Sequence, residues 1–328
     1  MWHFSADGVT IYSPDGKNVL KKHRKEFICK PYQNWRGELV DDCYYFSQAS
    51  DGHKYVWAGS FAVKPHVEAF DIDTGDYAGY INTCSTPLDL EYHTTREEMW
   101  LRCAQDFESE GHFGEIDVFS SNSLSADFNL ISLNDTSRPY GRIAIHSSMG
   151  PYGYVSAFDQ AYISELDLST KTVSNKYAIP KAFGSYDMTY SPVNEHIFTR
   201  ARVCCSCGFE GADALECGRG SSSVLIQTGP SASEFQQEGI CGAGCEGTPA
   251  DTIGVIEFDT VGKKIVAEHN IIQGTGLGAD PVGSPDGKYI LLLPNDGGQY
   301  VRVLTPEQNG MPSVSHFISV TEMLICIH

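Results

Sequence analysis

Cysteine is the residue type with the most chemistry to offer in this chain, and there are eleven. Six crowd one stretch: Cys204, Cys205, Cys207, Cys217, Cys241 and Cys245. Structural zinc sites pair their ligands as two C-x2-4-C units. Cys241 and Cys245 would serve as one such unit, but adjacent cysteines followed by C-x-C make an irregular second half. Disulfides within a loop account for the six more simply, with no connectivity chosen. Cys29, Cys43, Cys84 and Cys103 are spread out and read as the local pairs Cys29/Cys43 and Cys84/Cys103. Cys326 stands alone near the end.

Other chemistry-bearing stretches are weaker. Asp71-Ile-Asp-Thr-Gly-Asp76 starts like a calcium loop, but an EF-hand needs a ligand at position 5, Gly at 6 and Glu at 12. Gly75, Asp76 and Asn82 stand there instead, so the stretch reads as a hairpin turn with solvated acids. Gly274–Gly278 lacks the lysine and following helix of a phosphate cradle. No Gly-x-Ser-x-Gly elbow occurs, and the histidines show no H-E-x-x-H. Lys21-Lys-His-Arg-Lys25 is the strong basic run; it suits a glycosaminoglycan or a protease, or is a solvated linker. Asn134-Asp-Thr136 is a glycosylation sequon. Asp187 and Asp280, at hairpin entries, are the residues a metal would use if the chain held one.

The bulk numbers bound the function classes. Hydrophobic residues make up 41% and charged residues 20% of 328, a globular mixture that excludes global disorder. A net charge of -19 repels a phosphate backbone, so nucleic acid is not an expected partner. No apolar run approaches the roughly 20 residues of a membrane span. The N-terminus, MWHFSADG, lacks the features of a signal peptide. The cysteine usage nevertheless points to an oxidising compartment. The expectation is therefore a mature or truncated piece of a secreted protein.

The elements that must carry these residues are short β-rich runs broken by Gly, Asp, Asn, Ser and Pro. Two kinds of hairpin alternate. The first includes VTIYSPDGKNVLKKH (9–23), VEAFDIDTGDYAGYI (67–81), ISELDLSTKTVSNKYAI (163–179) and IGVIEFDTVGKKIVAEHNI (253–271). The second includes LDLEYHTTREEMWLRC (88–103), YDMTYSPVNEHIFTRA (186–201) and DPVGSPDGKYILLLP (280–294). Together they form four-strand units repeating roughly every 45–60 residues, near the period of propeller blades. The fold class is all-β: a β-propeller of six or seven four-stranded blades, with ring closure left open. The whole of 1–328 reads as one domain. The interval around 202–252 breaks the rhythm, and holds either a degenerate blade or an inserted loop. Its richness in Gly and Cys favours the loop. The pentapeptide SPDGK occurs in both kinds of hairpin, at 13–17 and 284–288, as a local answer to reversing a strand.

FSADGVTIYSPDGKNVLKKH, TPLDLEYHTTREEMWL, YISELDLSTKTVSNKYAI and above all GSPDGKYILLLPNDGGQYVRVLTPEQNG carry a resemblance. They look like the C-terminal propeller of the long follistatin-like secreted glycoproteins, and more loosely like YVTN-type propellers. The resemblance covers about two-thirds of the chain and rests on strand–turn patterns. It implies a secreted, non-catalytic propeller. The Kazal-type, EF-hand and immunoglobulin-like modules of those relatives are not in this sequence, so their calcium binding is not carried over.

The leading functional reading is an extracellular module that binds a protein or glycan through loops on a rigid scaffold. The alternatives are a metal-dependent propeller hydrolase of the lactonase or esterase kind and an acidic matrix protein. No cofactor is expected, with room left for a divalent cation such as calcium.

Overall fold

A computed structural model describes residues 1–5, 8–24, 32–33, 39–40, 44–61, 66–83, 87–103, 115–124, 129–132, 141–156, 162–179, 184–202, 253–270, 280–284, 287–293, 300–307 and 313–319. Apart from a 3-10 turn at Ser147–Met149, the regular elements among them are strands. The chain lays these down sheet by sheet. The first sheet holds β1 (Trp2–Ser5), β2 (Gly8–Tyr12) and β3 (Val19–Arg24), followed by a small pair, β4 (Tyr32–Gln33) and β5 (Leu39–Val40). The second sheet is β6 (Tyr44–Ser50), β7 (Tyr55–Phe61), β8 (His66–Asp71) and β9 (Tyr77–Asn82). The third is β10 (Pro87–His93), β11 (Glu98–Cys103), β12 (Glu115–Ser120) and β13 (Asn129–Ser132). The fourth is β14 (Ile143–Ala144), β15 (Tyr152–Val155), β16 (Tyr162–Asp167) and β17 (Thr172–Ala178). The fifth is β18 (Gly184–Ser191), β19 (His196–Arg202), β20 (Ile253–Asp259) and β21 (Lys264–Asn270). The sixth is β22 (Asp280–Gly283), β23 (Ile290–Leu293), β24 (Tyr300–Thr305) and β25 (Val314–Ser319). In each sheet the spatial order is the chain order.

This is the four-strand rhythm read from the sequence. The turn between β2 and β3 is SPDGK, which in the sixth sheet joins first and second strands. The first sheet shows three strands among the described residues. The fifth sheet explains the broken rhythm. β19 and β20 pair from Arg202 opposite Ile253 to His196 opposite Asp259, so segment 203–252 interrupts the middle of one sheet. That segment lies outside the described residues.

Turn chemistry is the clearest link from sequence to these sheets. Asp71 accepts the backbone N–H groups of Asp73 and Thr74 at 3.1 and 2.7 Å. Asp167 does the same for Ser169 and Thr170, and Asp259 for Val261 and Gly262. Each turn then closes on a left-handed residue: Gly75 at φ 68°, Lys171 at 55° and Lys263 at 54°. Hairpins joining first and second strands close likewise on Glu97 at 54° and Glu195 at 59°. A tight turn followed by one left-handed residue matches the twist of the flanking strands. The two SPDGK copies share a geometry. Ser13 N–H donates to Asn18 O and Ser284 N–H to Tyr289 O, both at 2.8 Å, with Gly16 and Gly287 left-handed at φ 72° and 70°.

Two compact units divide the chain, Met1–Ser147 and Ser148–His328. In the first, Tyr55, Trp57, Val67, Leu90, Met99, Leu101 and Phe119 join the second and third sheets in one core. Trp57 and Trp100 occupy the same register, opposite Ala69 and Val118, and both are fully buried. In the second unit, Phe198 and Val255 of the fifth sheet pack with Ile290, Leu292 and Leu304 of the sixth. Fully burying a large apolar side chain contributes about 1.5–3 kcal/mol. Third strands such as β8 are covered on both faces, whereas the outermost β9 is mostly exposed. That gradient explains why middle strands read as continuous apolar runs.

Candidate functional site

The third strands carry a feature that periodicity alone conceals. Each of four sheets buries one acid there: Glu68 on β8, Asp117 on β12, Glu165 on β16 and Glu257 on β20. A buried carboxylate is tolerable only when donors surround it. The sequence signal is an acid two or three residues before the one that opens the following turn: VEAFD, IDVFS, SELD and IEFD.

Glu257 is the most completely enclosed. His196 Nδ1 donates to its Oε1 and His269 Nε2 to its Oε2, both at 2.7 Å. Asn194 Nδ2 reaches Oε1 at 3.1 Å. Ser313, just ahead of β25, adds its N–H at 3.0 Å to Oε2 and its hydroxyl at 2.9 Å to Oε1. Burial alone would push this carboxyl up, but the bonds from His196, His269 and Ser313 outweigh it and hold it at about 2. The carboxylate is 0% exposed. Its lone pairs are spent on joining the fifth sheet to the segment that precedes β25. This is a structural anchor closed to solvent.

Glu165 sits in a different environment. Ser174 Oγ donates to its Oε1 at 3.0 Å, and the hydroxyls of Tyr154 and Tyr177 to its Oε2 at 3.1 and 3.3 Å. A register skip places Ser174 beside it: Glu165 pairs with Asn175 and Leu166 with Val173, leaving Ser174 bulged. Lys263, from the β20–β21 turn, contacts both Glu165 Oε2 and the Tyr154 hydroxyl. Its Nζ also stands 4.5 Å from the centre of the Tyr152 ring and 5.1 Å from that of Tyr154. Burial raises the Glu165 carboxyl, and the bonds from Lys263 and Ser174 lower it by more, leaving it below its ordinary range. Burial and the adjacent Glu165 push the Tyr154 phenol up, so it stays protonated.

In the first unit, Glu68 accepts from Tyr45 Oη at 2.8 Å and His66 Nε2 at 3.0 Å. Burial, with Glu68 and Tyr80 nearby, pushes Tyr77 up to about 12. Two stretches singled out by sequence meet here. The first four residues of the basic run, 21–24, lie on β3, and Lys21 Nζ bonds Asp76 Oδ1 at 2.6 Å and Thr74 O at 2.9 Å. His23 Nε2 is 2.6 Å from Gly75 O. The Asp71–Asp76 stretch is a hairpin turn, as its spacing implied, and two residues of the basic run, Lys21 and His23, are spent holding it.

The metal candidates lie on first strands of two sheets in the second unit. Asp187, on β18, pairs with Arg200 at 2.8 Å. Asp280 opens β22 opposite Leu293, and its side chain lies outside the described ones. Among the described residues no group of three or more His, Cys, Asp or Glu is placed to hold a metal ion. Cys103 ends β11 fully buried and disulfide-bonded, with its partner outside the described residues. Cys29, Cys43, Cys84, Cys204, Cys205, Cys207, Cys217, Cys241, Cys245 and the Asn134 sequon lie outside them too, as does Gly274–Gly278. No described helix is long and apolar enough to cross a membrane.

Solved structures share this architecture. Hydrazine synthase of Kuenenia stuttgartiensis matches at a TM-score of 0.59 and 13% identity, over 93% of this chain and 75% of that one. A chain of a mitotic checkpoint complex matches at 0.54 and 9%, over 94% and 71%. The β-propeller domain of Cps50 (Swd1) from Myceliophteria thermophila matches at 0.52 and 10%, over 85% and 72%. These likenesses establish the fold: the chain is a β-propeller built of four-stranded antiparallel sheets. No protein-family model and no curated protein matches the sequence.

Proposed function

We propose that this propeller is a secreted, non-catalytic module that binds an extracellular protein or glycan through the connections at one end of its sheets. One observation carries the reading: the two longest connections within a sheet, 104–114 and 203–252, both join second to third strands. Turns joining first to second and third to fourth strands are shorter, tight at 51–54, 72–76, 94–97, 168–171, 192–195 and 260–263 and no longer than 121–128 and 306–313. Asp51, Asp71, Asp167 and Asp259 cap four of them. The remaining second-to-third-strand connections, 62–65, 156–161 and 294–299, are short, so the length at that end is concentrated in 104–114 and 203–252. Rigid sheets with long connections at one end are the arrangement by which loop-borne binding sites are held in place.

Further support comes from chemistry. The disulfide at Cys103 and the cysteine cluster fit an oxidising compartment. The resemblance to the follistatin-like propeller fits the same reading. A net charge of -19 favours a partner with basic groups. The mitotic checkpoint complex is an assembly of proteins, a role in keeping with this one at the level of fold alone. The test is to screen the non-reduced full chain against secreted proteins and a glycan array, and in parallel against ester and lactone substrates with added divalent cations. Saturable, salt-sensitive binding without turnover is the expected result. Metal-dependent turnover without binding overturns the proposal in favour of a hydrolase. Non-reducing peptide mapping adds a second check, because free thiols holding zinc within 204–245 are incompatible with it.

A further inference from the structure

The surroundings of Lys263 have the composition of a receptor site for an organic cation. A latch between strands needs only a carboxylate opposite an ammonium. Here Glu165 lies with its side chain 7% exposed, and the rings of Tyr152 and Tyr154 face Nζ at 4.5 and 5.1 Å. The Tyr177 hydroxyl holds the same carboxylate oxygen at 3.3 Å. Phe258 backs the rings of Tyr154 and Tyr177 at 5.7 and 5.2 Å. Aromatic faces attract cations through their quadrupoles, and more strongly when water is excluded. A desolvated carboxylate supplies the counter-charge. Such a set accepts an ammonium whether it bears hydrogens or methyl groups. Lys263 itself remains 30% exposed, so the pocket opens to solvent along its side chain.

We propose that Tyr152, Tyr154, Tyr177 and Glu165 form an alkylammonium-binding pocket that the chain's own Lys263 occupies. Its ligand class is the lysine ammonium of a basic partner, unmodified or methylated. Lys263 acts as a tethered competitor. Because it is attached, its effective concentration is high and it sets the threshold that an external ammonium must exceed. The inference stands on this cluster and not on the loops at the other end of the sheets, so either can fail without the other.

The decisive variant is Lys263→Gly. Lys263 has φ 54°, a backbone region that glycine adopts without strain, so the substitution removes the ammonium while suiting the turn. Tetramethylammonium, methylammonium and Nα-acetyl-trimethyllysine amide are the probes, with sodium chloride as the ionic-strength control. The expected result is saturable binding to Lys263→Gly at least about tenfold tighter than to the wild type, with a rise in its melting temperature. Adding Glu165→Gln abolishes both. Equal binding to all three proteins, or none to Lys263→Gly, overturns the proposal. A wild-type measurement stands beside it if the variant does not fold. Saturating tetramethylammonium should displace Lys263 and speed acetylation of its Nζ about tenfold relative to other lysines. An unchanged rate overturns the proposal.

Discussion

Replacing Glu257 by glutamine tests whether the buried carboxylate anchors the second unit. The side chain keeps its shape but loses its charge, and one acceptor oxygen becomes a donor facing a histidine N–H. The magnitude follows from linkage. The carboxyl falls from its ordinary 4.5 to about 2 in the folded protein. At about 1.4 kcal/mol for each pH unit, the folded environment favours the ionised form by about 3 kcal/mol. The sign is that of a depressed acid. The stabilisation is complete above pH 4.5 and is lost as pH falls towards 2. For a unit the size of Ser148–His328, about 3 kcal/mol corresponds to roughly 6–12 °C in melting temperature. The assay is thermal unfolding of wild type and Glu257→Gln from neutral pH down to acid. Other carboxylates, Glu165 among them, are also held below their ordinary range, so the informative quantity is the difference between the two proteins. That difference should be large at neutral pH and shrink as pH falls. A constant difference across the range, or none at neutral pH, refutes the reasoning.

Three further substitutions probe the scaffold. A Cβ on Gly287 would lie 2.5 Å from Pro192 Cδ, whereas one on Gly52 meets nothing within 4 Å, though both residues are left-handed at φ 70° and 72°. Gly52→Ala should therefore cost only the backbone strain, about 1–2 kcal/mol, and Gly287→Ala clearly more in chemical denaturation. Arg200→Ala breaks the ion pair with Asp187 in a site where both side chains are under a tenth exposed, and should cost about 3–5 kcal/mol. Lys21→Ala breaks an exposed pair with Asp76, so the unfolding midpoint should barely move, and any shift should vanish at high salt.

What could be read in advance was local. Asp71, Asp167 and Asp259, each followed by a left-handed residue, are visible as turn chemistry, and with the strands between them they define the blades. The break in rhythm was visible as well, but only the pairing of Arg202 with Ile253 shows that it interrupts one sheet. The buried acids were not legible, because a carboxylate in an apolar strand looks like an error until its donors are known. Those of Glu257 come from Asn194 and His196 around the start of β19, His269 on β21 and Ser313 ahead of β25, residues far apart in the chain. The basic run failed as a signal for the same reason. Lys21 and His23 meet the turn at Thr74–Asp76 across a gap in sequence that no spacing rule spans. Lys263 was hidden within an ordinary turn pattern, and its place among tyrosines depends on how β15, β16 and β17 pair.

The proposed division between scaffold and binding loops can be tested by excising the cysteine-rich segment. Arg202 and Ile253 already face each other as a pair. A two-residue Asn-Gly turn between them, replacing 203–252, is the geometry a tight hairpin requires. The account predicts a folded protein whose unfolding midpoint is close to that of the full chain and whose binding to the identified extracellular partner is lost. A variant that no longer folds, or one that binds as well as the full chain, would contradict it.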